Sequence, residues 1–531
     1  MSTALNKPSP KDTPATSRRQ VLKAISGLML ALFVSTLSST VVSSALPKII
    51  GAVHGSQTQY TWVVTATLLT TTATTPIWGK LADLVSKKAL VQAAIAVFML
   101  GALASGISQT AGQLIAARAV QGIGVGGVQA LVQIALAAMI PPRERGRYSG
   151  YLSSVTATST IGGPLLGGVI VDTSWLGWRW CFFIGIPVAV VALMLLQRTL
   201  KLAFVRRENV KIDYLGATLI AAGVSVLLIW VSFVDNSFAW GSWQTAAMVS
   251  GGLALILLAL WVEARAAEPV VPLAIVRQRT TALAIVGSLA VGTAMFGASV
   301  FLSQYFQVSR GHSPTEAGLL TIPMMAGILI ASTIAGRLIS RTGRIKPYVI
   351  TGAVLLTAGC AGLGTIDYRT PILFLGVSML CVGMGVGMTL QNLVLVVQNT
   401  VQLKDVGAAS STVSFFRSLG GTIGVSVLGA VLARHVQSEV TKGLAATGSA
   451  TGADSGAQSP AMREVVRIAY GDGTAQIFLL SAVAAALAVV AAVLLPSVRL
   501  RSSLDLPEKS TAPDSRPTGP AADSAADPAV G

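Results

Sequence analysis

The sequence predicts an all-α membrane protein of fourteen transmembrane helices, and three observations carry that prediction. Hydrophobic residues make up 53% of the 531 residues and charged ones only 11%, with a mean hydropathy of +0.70. A soluble domain carries roughly 25% charged residues. A helix needs roughly 20 mostly apolar residues to cross a bilayer, and stretches of that kind recur fourteen times. The 38 lysines and arginines fall mostly on alternate loops between those stretches, which orients the chain.

The apolar segments lie at about 24–46, 60–79, 89–107, 113–139, 148–171, 180–197, 214–234 and 243–262. Six more follow at about 281–306, 316–336, 348–366, 371–397, 407–433 and 475–495. The tail before the first segment holds Lys7, Lys11, Arg18, Arg19 and Lys23, so it is placed in the cytoplasm and the sides alternate from there. With that assignment 28 of the 38 cations lie inside, eight outside, and Arg118 and Arg417 fall within spans. A missed or invented helix would scramble this bias, so the chain is expected in the cell inner membrane with both termini on the cytoplasmic side. The first segment exceeds twenty residues and many spans follow it, which reads as an uncleaved start-transfer helix rather than a signal peptide.

The net charge of +17 does not point to nucleic acid, because the cations sit on short loops at one membrane face. Anionic lipid headgroups are their expected counter-ions. Cys181, Cys360 and Cys381 fall within spans as small apolar filler, and no disulfide framework is expected. His54, His312 and His435 form no metal-ligand spacing, and neither metal nor cofactor is expected. Residues 438–474 are rich in Gly, Ala and Ser and read as a loosely ordered outer loop; 505–531 read as a disordered tail.

Short motifs narrow the class. Gly79-Lys80-Leu81-Ala82-Asp83-Leu84-Val85-Ser86-Lys87-Lys88, between the second and third segments, resembles the G-x-L-a-D-r-x-G-r-k signature of the major facilitator superfamily, with Leu84 and Ser86 as departures. The resemblance implies a gate in which Asp83, beside Gly79, Lys87 and Lys88, pairs with cations and helix N-termini across a seam. In the fourth segment, Leu114 to Gly124 is similar to the family's l-x-x-x-R-x-x-q-G-x-g and centres on Arg118. A charge inside a span is costly and is by default a functional hypothesis; the resemblance implies coupling or gating, and snorkelling to headgroups is the bland alternative. In the fifth, Ser159 to Gly168 looks like the g-x-x-x-G-P-x-x-G-G signature of antiporter branches, through Gly163, Pro164, Gly167 and Gly168. Trp62 to Ala66, Trp178 to Phe183, Gln304 to Gln307 and Phe416 to Gly421 also resemble the fourteen-helix drug:proton antiporters.

The second half carries a worn copy of the gate signature, Gly336 to Arg344, in which Ser340 stands in the acid's place. The resemblance therefore implies a major facilitator fold: two six-helix halves plus two inserted helices, with a cavity at the midplane between the halves. The expected organisation is a tail at 1–23, an N-terminal half at 24–197, a linker with two helices at 198–280, a C-terminal half at 281–496 and a tail at 497–531.

One departure bears on chemistry. Where the family reads l-D-x-T in the first span, this chain has Leu37-Ser38-Ser39-Thr40, and none of its 21 acidic residues falls at mid-membrane depth. Asp83, Asp213, Asp235 and Glu316 come closest, at span ends. A deep carboxylate is the usual proton carrier and the usual counter-ion for a cationic drug. Its absence predicts a cavity that favours neutral or anionic amphiphiles, and coupling through Arg118, Arg417 and a peripheral acid such as Asp235 or Glu316. Gln304, Gln307, Gln391 and Asn392, with Ser38, are the expected substrate contacts, because amides seldom face lipid.

The function these features imply is export of antibiotics or other amphiphilic small molecules by alternating access, coupled to protons. Export of a lipid or lipophilic envelope component is an alternative; a transport-inactive membrane sensor is one of another class. A membrane enzyme is disfavoured, because no His, Asp, Glu or nucleophile cluster gathers at one membrane face.

Overall fold

The computed structural model describes residues 18–53, 57–173, 175–200, 214–234, 238–266, 273–312, 314–402, 405–446, 460–497 and 500. All fourteen apolar segments fall on helices. They are α1 (Arg18–Ala52), α2 (Gln57–Leu84), α3 (Lys87–Ile107), α4 (Ala111–Met139), α5 (Pro142–Asp172), α6 (Trp180–Thr199, with a jog at Ile184), α7 (Tyr214–Phe233) and α8 (Trp243–Glu263). The second half adds α9 (Arg279–Gln304), α10 (Ile322–Thr342), α11 (Lys346–Leu363), α12 (Ile372–Thr400), α13 (Val406–Ala446) and α14 (Pro460–Leu494).

Local chemistry sets the ends. The hydroxyls of Ser86, Thr110 and Ser242 accept from the N–H groups of Ala89, Gln113 and Thr245 and so cap α3, α4 and α8. Gly343, at φ +69°, closes α10 in the left-handed conformation that glycine adopts without strain. Beyond Gln304, α9 runs on through a π turn, Tyr305–Ser309. Within the outer loop expected at 438–474, the described residues are helical: α13 continues to Ala446 and α14 begins at Pro460. Lys442 pairs with Glu439 one turn back, and Arg467 Nε donates to the Ser309 carbonyl, which anchors the start of α14 to the π turn.

Eleven of the helices are long and apolar enough to cross a membrane by length and composition. Two that fall short, α2 and α5, are rich in Thr, Ser and Gly, and both pack between the halves rather than on the outside. The outer surface is the reverse of a soluble bundle. On α14 the small residues Ala485, Ala488 and Ala492 are buried, whereas Leu479, Val483, Leu487 and Val490 are exposed at helical spacing. Lipid tails are as apolar as leucine, so tight packing of small residues holds such helices together while large side chains face outward.

Helices α1–α6 and α9–α14 form two bundles with a matching internal plan. In α4, Gly122 and Gly126 lie against the Thr67 and Thr71 carbonyls of α2; in α12, Gly383 and Gly387 lie against the Met324 and Ile328 carbonyls of α10. Gly124 meets Phe98 of α3, and Gly385 meets Leu356 of α11. Thr40 Oγ1 donates to the Ser159 carbonyl, just as Thr293 Oγ1 donates to that of Gly420. Each half is thus one copy of the same packing scheme.

The bundles meet along two lines, α2 against α13 and α5 against α10. Helix α7 docks at the first line, where Val224 and Leu228 cluster with Phe415, and Leu69, Phe416 and Leu419 pack around them. Helix α8 packs on α7 and leaves Leu253, Leu257 and Trp261 exposed.

Candidate functional site

Contacts between the halves gather at the end that carries the cation-rich loops. Asp83 stands beyond the apolar stretch of α2 and reaches the first turn of α13. Its Oδ1 accepts from the Gly407 N–H at 2.9 Å and its Oδ2 from the Ala408 N–H at 2.8 Å. Those N–H groups are the donors that a helix start leaves unpaired, and the positive end of the helix favours the charge. Glycine is required at both close approaches: a Cβ at Gly407 would collide with the Asp83 carboxyl and the Gly79 carbonyl, and one at Gly79 with Ser411. Burial pushes the Asp83 carboxyl up to about 7, against the downward pull of the Ala408 N–H, Lys87, the Gly407 N–H and Lys80. Lys88 turns elsewhere and donates to the Gln197 carbonyl at the end of α6.

The worn signature occupies the matching place on the other line. The Arg147 N–H, in the first turns of α5, donates to Ser340 Oγ at 3.2 Å. The seam therefore holds two contacts at matching places, one made by a carboxylate and one by a hydroxyl.

Arg145 adds a third crossing that sequence reasoning missed. Its Nε and Nη2 donate to the Ile140 and Ala137 carbonyls at the end of α4, at 2.7 and 2.6 Å. Its Nη1 donates to Gln398 Oε1 of α12 at 3.1 Å, and Gln398 Nε2 donates to Ser410 Oγ at 2.9 Å. Gln133, Arg145, Gln391 and Gln398 line a small pocket between the halves, in which Gln133 Oε1 is buried without a partner. A helix start at Pro141-Pro142 followed by Arg-Glu-Arg was the only signal available, and there Arg145 counted as one more loop cation.

Deeper in the bundle, Arg118 is 3% exposed; its Nη1 donates to Gln121 Oε1 at 2.7 Å, and Gln121 Nε2 donates to Ser38 Oγ at 3.0 Å. Thr67 Oγ1 donates to the Arg118 carbonyl, tying α2 to α4. Arg417 lies on α13 with its carbonyl against Gly292 and its Nη1 buried without a partner.

The other expected site residues scatter. Gly163 packs on Thr40 of α1, and α5 runs unbroken through Pro164, Gly167 and Gly168. Gln391 faces the pocket between the halves, whereas Asn392 donates to the Met388 carbonyl of its own helix. Gln304 is exposed, and Gln307 donates to Ser303 within its own helix. Glu316 is exposed at the far end, 3.5 Å from His312. Asp235 and Asp213 lie outside the described residues. Every described carboxylate sits at a helix end, in a loop or on a helical extension beyond the apolar segments.

The sequence matches the family model for the Major Facilitator Superfamily over residues 28–211 and 214–425. It is 34% identical over 488 residues to the MFS-type transporter Rv1877 of Mycobacterium tuberculosis, covering 91% of this chain and 70% of the relative. It is 34% identical over 417 residues to the multidrug transporter protein MdtP of Bacillus subtilis, covering 78% and 76%. Among solved structures, the proton:xylose symporter XylE superposes with a TM-score of 0.59 at 16% identity, covering 91% of this chain and 97% of that one. With the repeated halves, the glycine-lined seam and these matches in hand, the chain belongs to the major facilitator superfamily.

Proposed function

We propose that this multi-pass membrane transporter exports antibiotics or other amphiphilic small molecules across the cytoplasmic membrane by alternating access, in exchange for protons. The cation-rich end, with both termini, faces the cytoplasm, as the loop charges imply. The observation that carries the reading is the seam. Asp83, Ser340 and Arg145 each bond a helix of the opposite half at one end of the bundle, so this end closes and opens as the halves rock. The likeness to proteins named as a multidrug transporter and as efflux pumps supports export as the direction.

In this reading Gly79, Asp83, Lys87 and Lys88 belong to the gate, and Gly163, Pro164, Gly167 and Gly168 let α5 lie close on α1. Gln391, with Gln133 and Gln398, supplies hydrogen bonds to substrate on its path between the halves. Proton exchange runs through a carboxylate at a span end, with Glu316, Asp235 and Asp83 as the candidates. The test is efflux of the neutral dye Nile red from cells making the wild type or Asp83→Asn, with and without an uncoupler. Uncoupler-sensitive efflux that Asp83→Asn impairs is the expected result. No efflux of Nile red or of any compound in a panel of neutral, anionic and cationic dyes would overturn the reading and favour a lipid substrate.

A further inference from the structure

The triad Arg118, Gln121 and Ser38 contains a buried cation and no anion. Gln121 links the guanidinium to a hydroxyl, which returns no charge. Arg118 Nη1 is taken by that amide, while Nε, on the side-on edge with which arginine grips an oxyanion at two points, is buried with no acceptor. Arg417 lies at nearly the same depth: Thr67 of α2 bonds Arg118, and Leu69, two residues on, packs in the cluster that holds Phe416. Its Nη1 also lacks an acceptor.

The repeated architecture shows that packing does not demand this arrangement. Aligning the halves through the Gly122 and Gly383 contacts and the Thr40 and Thr293 bonds sets Arg118 opposite Met379, Gln121 opposite Val382 and Ser38 opposite Val291. Those three are 1%, 0% and 0% exposed. The same corner of the fold thus packs fully with apolar side chains, and a desolvated, unbalanced cation there is a cost that the fold does not impose.

We infer that the missing counter-ion is the acidic group of the transported molecule: Arg118, oriented by Gln121 and Ser38, binds the carboxylate, sulfonate or phosphate of an anionic amphiphile. This deepens, and rests on, the export reading. Arg118 is 3% exposed, so binding requires the bundle to move, which ties occupancy of the site to the conformational cycle.

The test uses the full chain in proteoliposomes and two probes with one skeleton: 8-anilinonaphthalene-1-sulfonate and its uncharged analogue N-phenyl-1-naphthylamine. Arg118→Gln is expected to lower the ratio of sulfonate to neutral-probe transport about tenfold, the scale of a lost charged hydrogen bond. Ser38→Asp, which places a carboxylate one amide away from the guanidinium, is expected to suppress sulfonate transport similarly. It is also expected to raise the thermal midpoint of the detergent-solubilised protein, a readout that needs no substrate. Transport of the neutral probe alone by the wild type, or undiminished sulfonate transport in both variants, overturns the inference while leaving export intact. If the wild type moves neither probe, the export reading fails, and a fall in the midpoint of Ser38→Asp overturns the missing counter-ion as well.

Discussion

At the scale of single residues, Asp83 and Gln398 make the seam testable. The buried Asp83 carboxyl titrates near 7, whereas a carboxyl freed into water returns to about 4. The sealed form therefore holds its proton more tightly than the open form. Linkage then gives the sign: sealing is favoured as pH falls and loses that support as pH rises through 7. Electron–electron distance measurements between spin labels at Val85 and Gln402, both exposed, should show the sealed population growing between about pH 8 and 6. Asp83→Asn, neutral throughout, should flatten that response; an unchanged slope would assign the titration to another group. Gln398 supplies the acceptor for Arg145 and a donor to Ser410. Gln398→Leu removes the acceptor that a buried guanidinium finds across the seam, a loss of about 1–3 kcal/mol, so the same labels should report a sealed fraction lowered by roughly tenfold. An unaltered distance distribution would show that this crossing contributes nothing to closure.

At the scale of elements, the glycines of α4 and α12 set how closely helices approach. A Cβ at Gly383 would run into the Met324 carbonyl, backbone that cannot step aside, whereas one at Gly112 in the first turn of α4 meets open space. Gly383→Ala should cost about 1–3 kcal/mol through overpacking, and Gly112→Ala should be neutral or slightly stabilising, as read from thermal midpoints in detergent. Equal midpoints for the two would refute the close-approach account. The sequence showed that these spans are glycine-rich; it could not show which glycine meets which carbonyl, because that depends on two helices far apart in the chain. The helical extensions of α13 and α14 escaped for a different reason. The low hydropathy of 438–474 says only that the segment leaves the membrane, and polar residues such as Gln437, Glu439 and Lys442 form helix readily in water.

At the scale of the whole molecule, the sequence made the periodic and the local legible: fourteen apolar segments that fall on helices, and the Asp83 signature. Partnerships between a cation and a neutral amide in opposite halves, such as Arg145 with Gln398, leave no pattern along the chain and required the fold. The fold also shows what the loss of the acid at Ser340 means. The second line of contact keeps a bond across the seam, a hydroxyl accepting from the Arg147 N–H where Asp83 accepts from two N–H groups with a carboxylate. The Arg147 N–H that faces Ser340 lies in the second turn of α5, five residues after Pro142, whereas the donors that face Asp83 are first-turn N–H groups of α13. Ser340→Asp should turn the bond from the Arg147 N–H into a charge-assisted one, a gain of about 1–1.5 kcal/mol over the neutral hydroxyl. That gain favours closure of the cation-rich end. The expected outcome is an export rate about tenfold lower, since each cycle must reopen that end, together with a larger sealed fraction in the label distances. Asp83→Asn in the same chain moves the stronger contact from one line to the other and should recover most of the rate. A fall in rate without a change in sealed fraction, or no recovery in the double variant, would mean that the two contacts do not share the work of closing the seam.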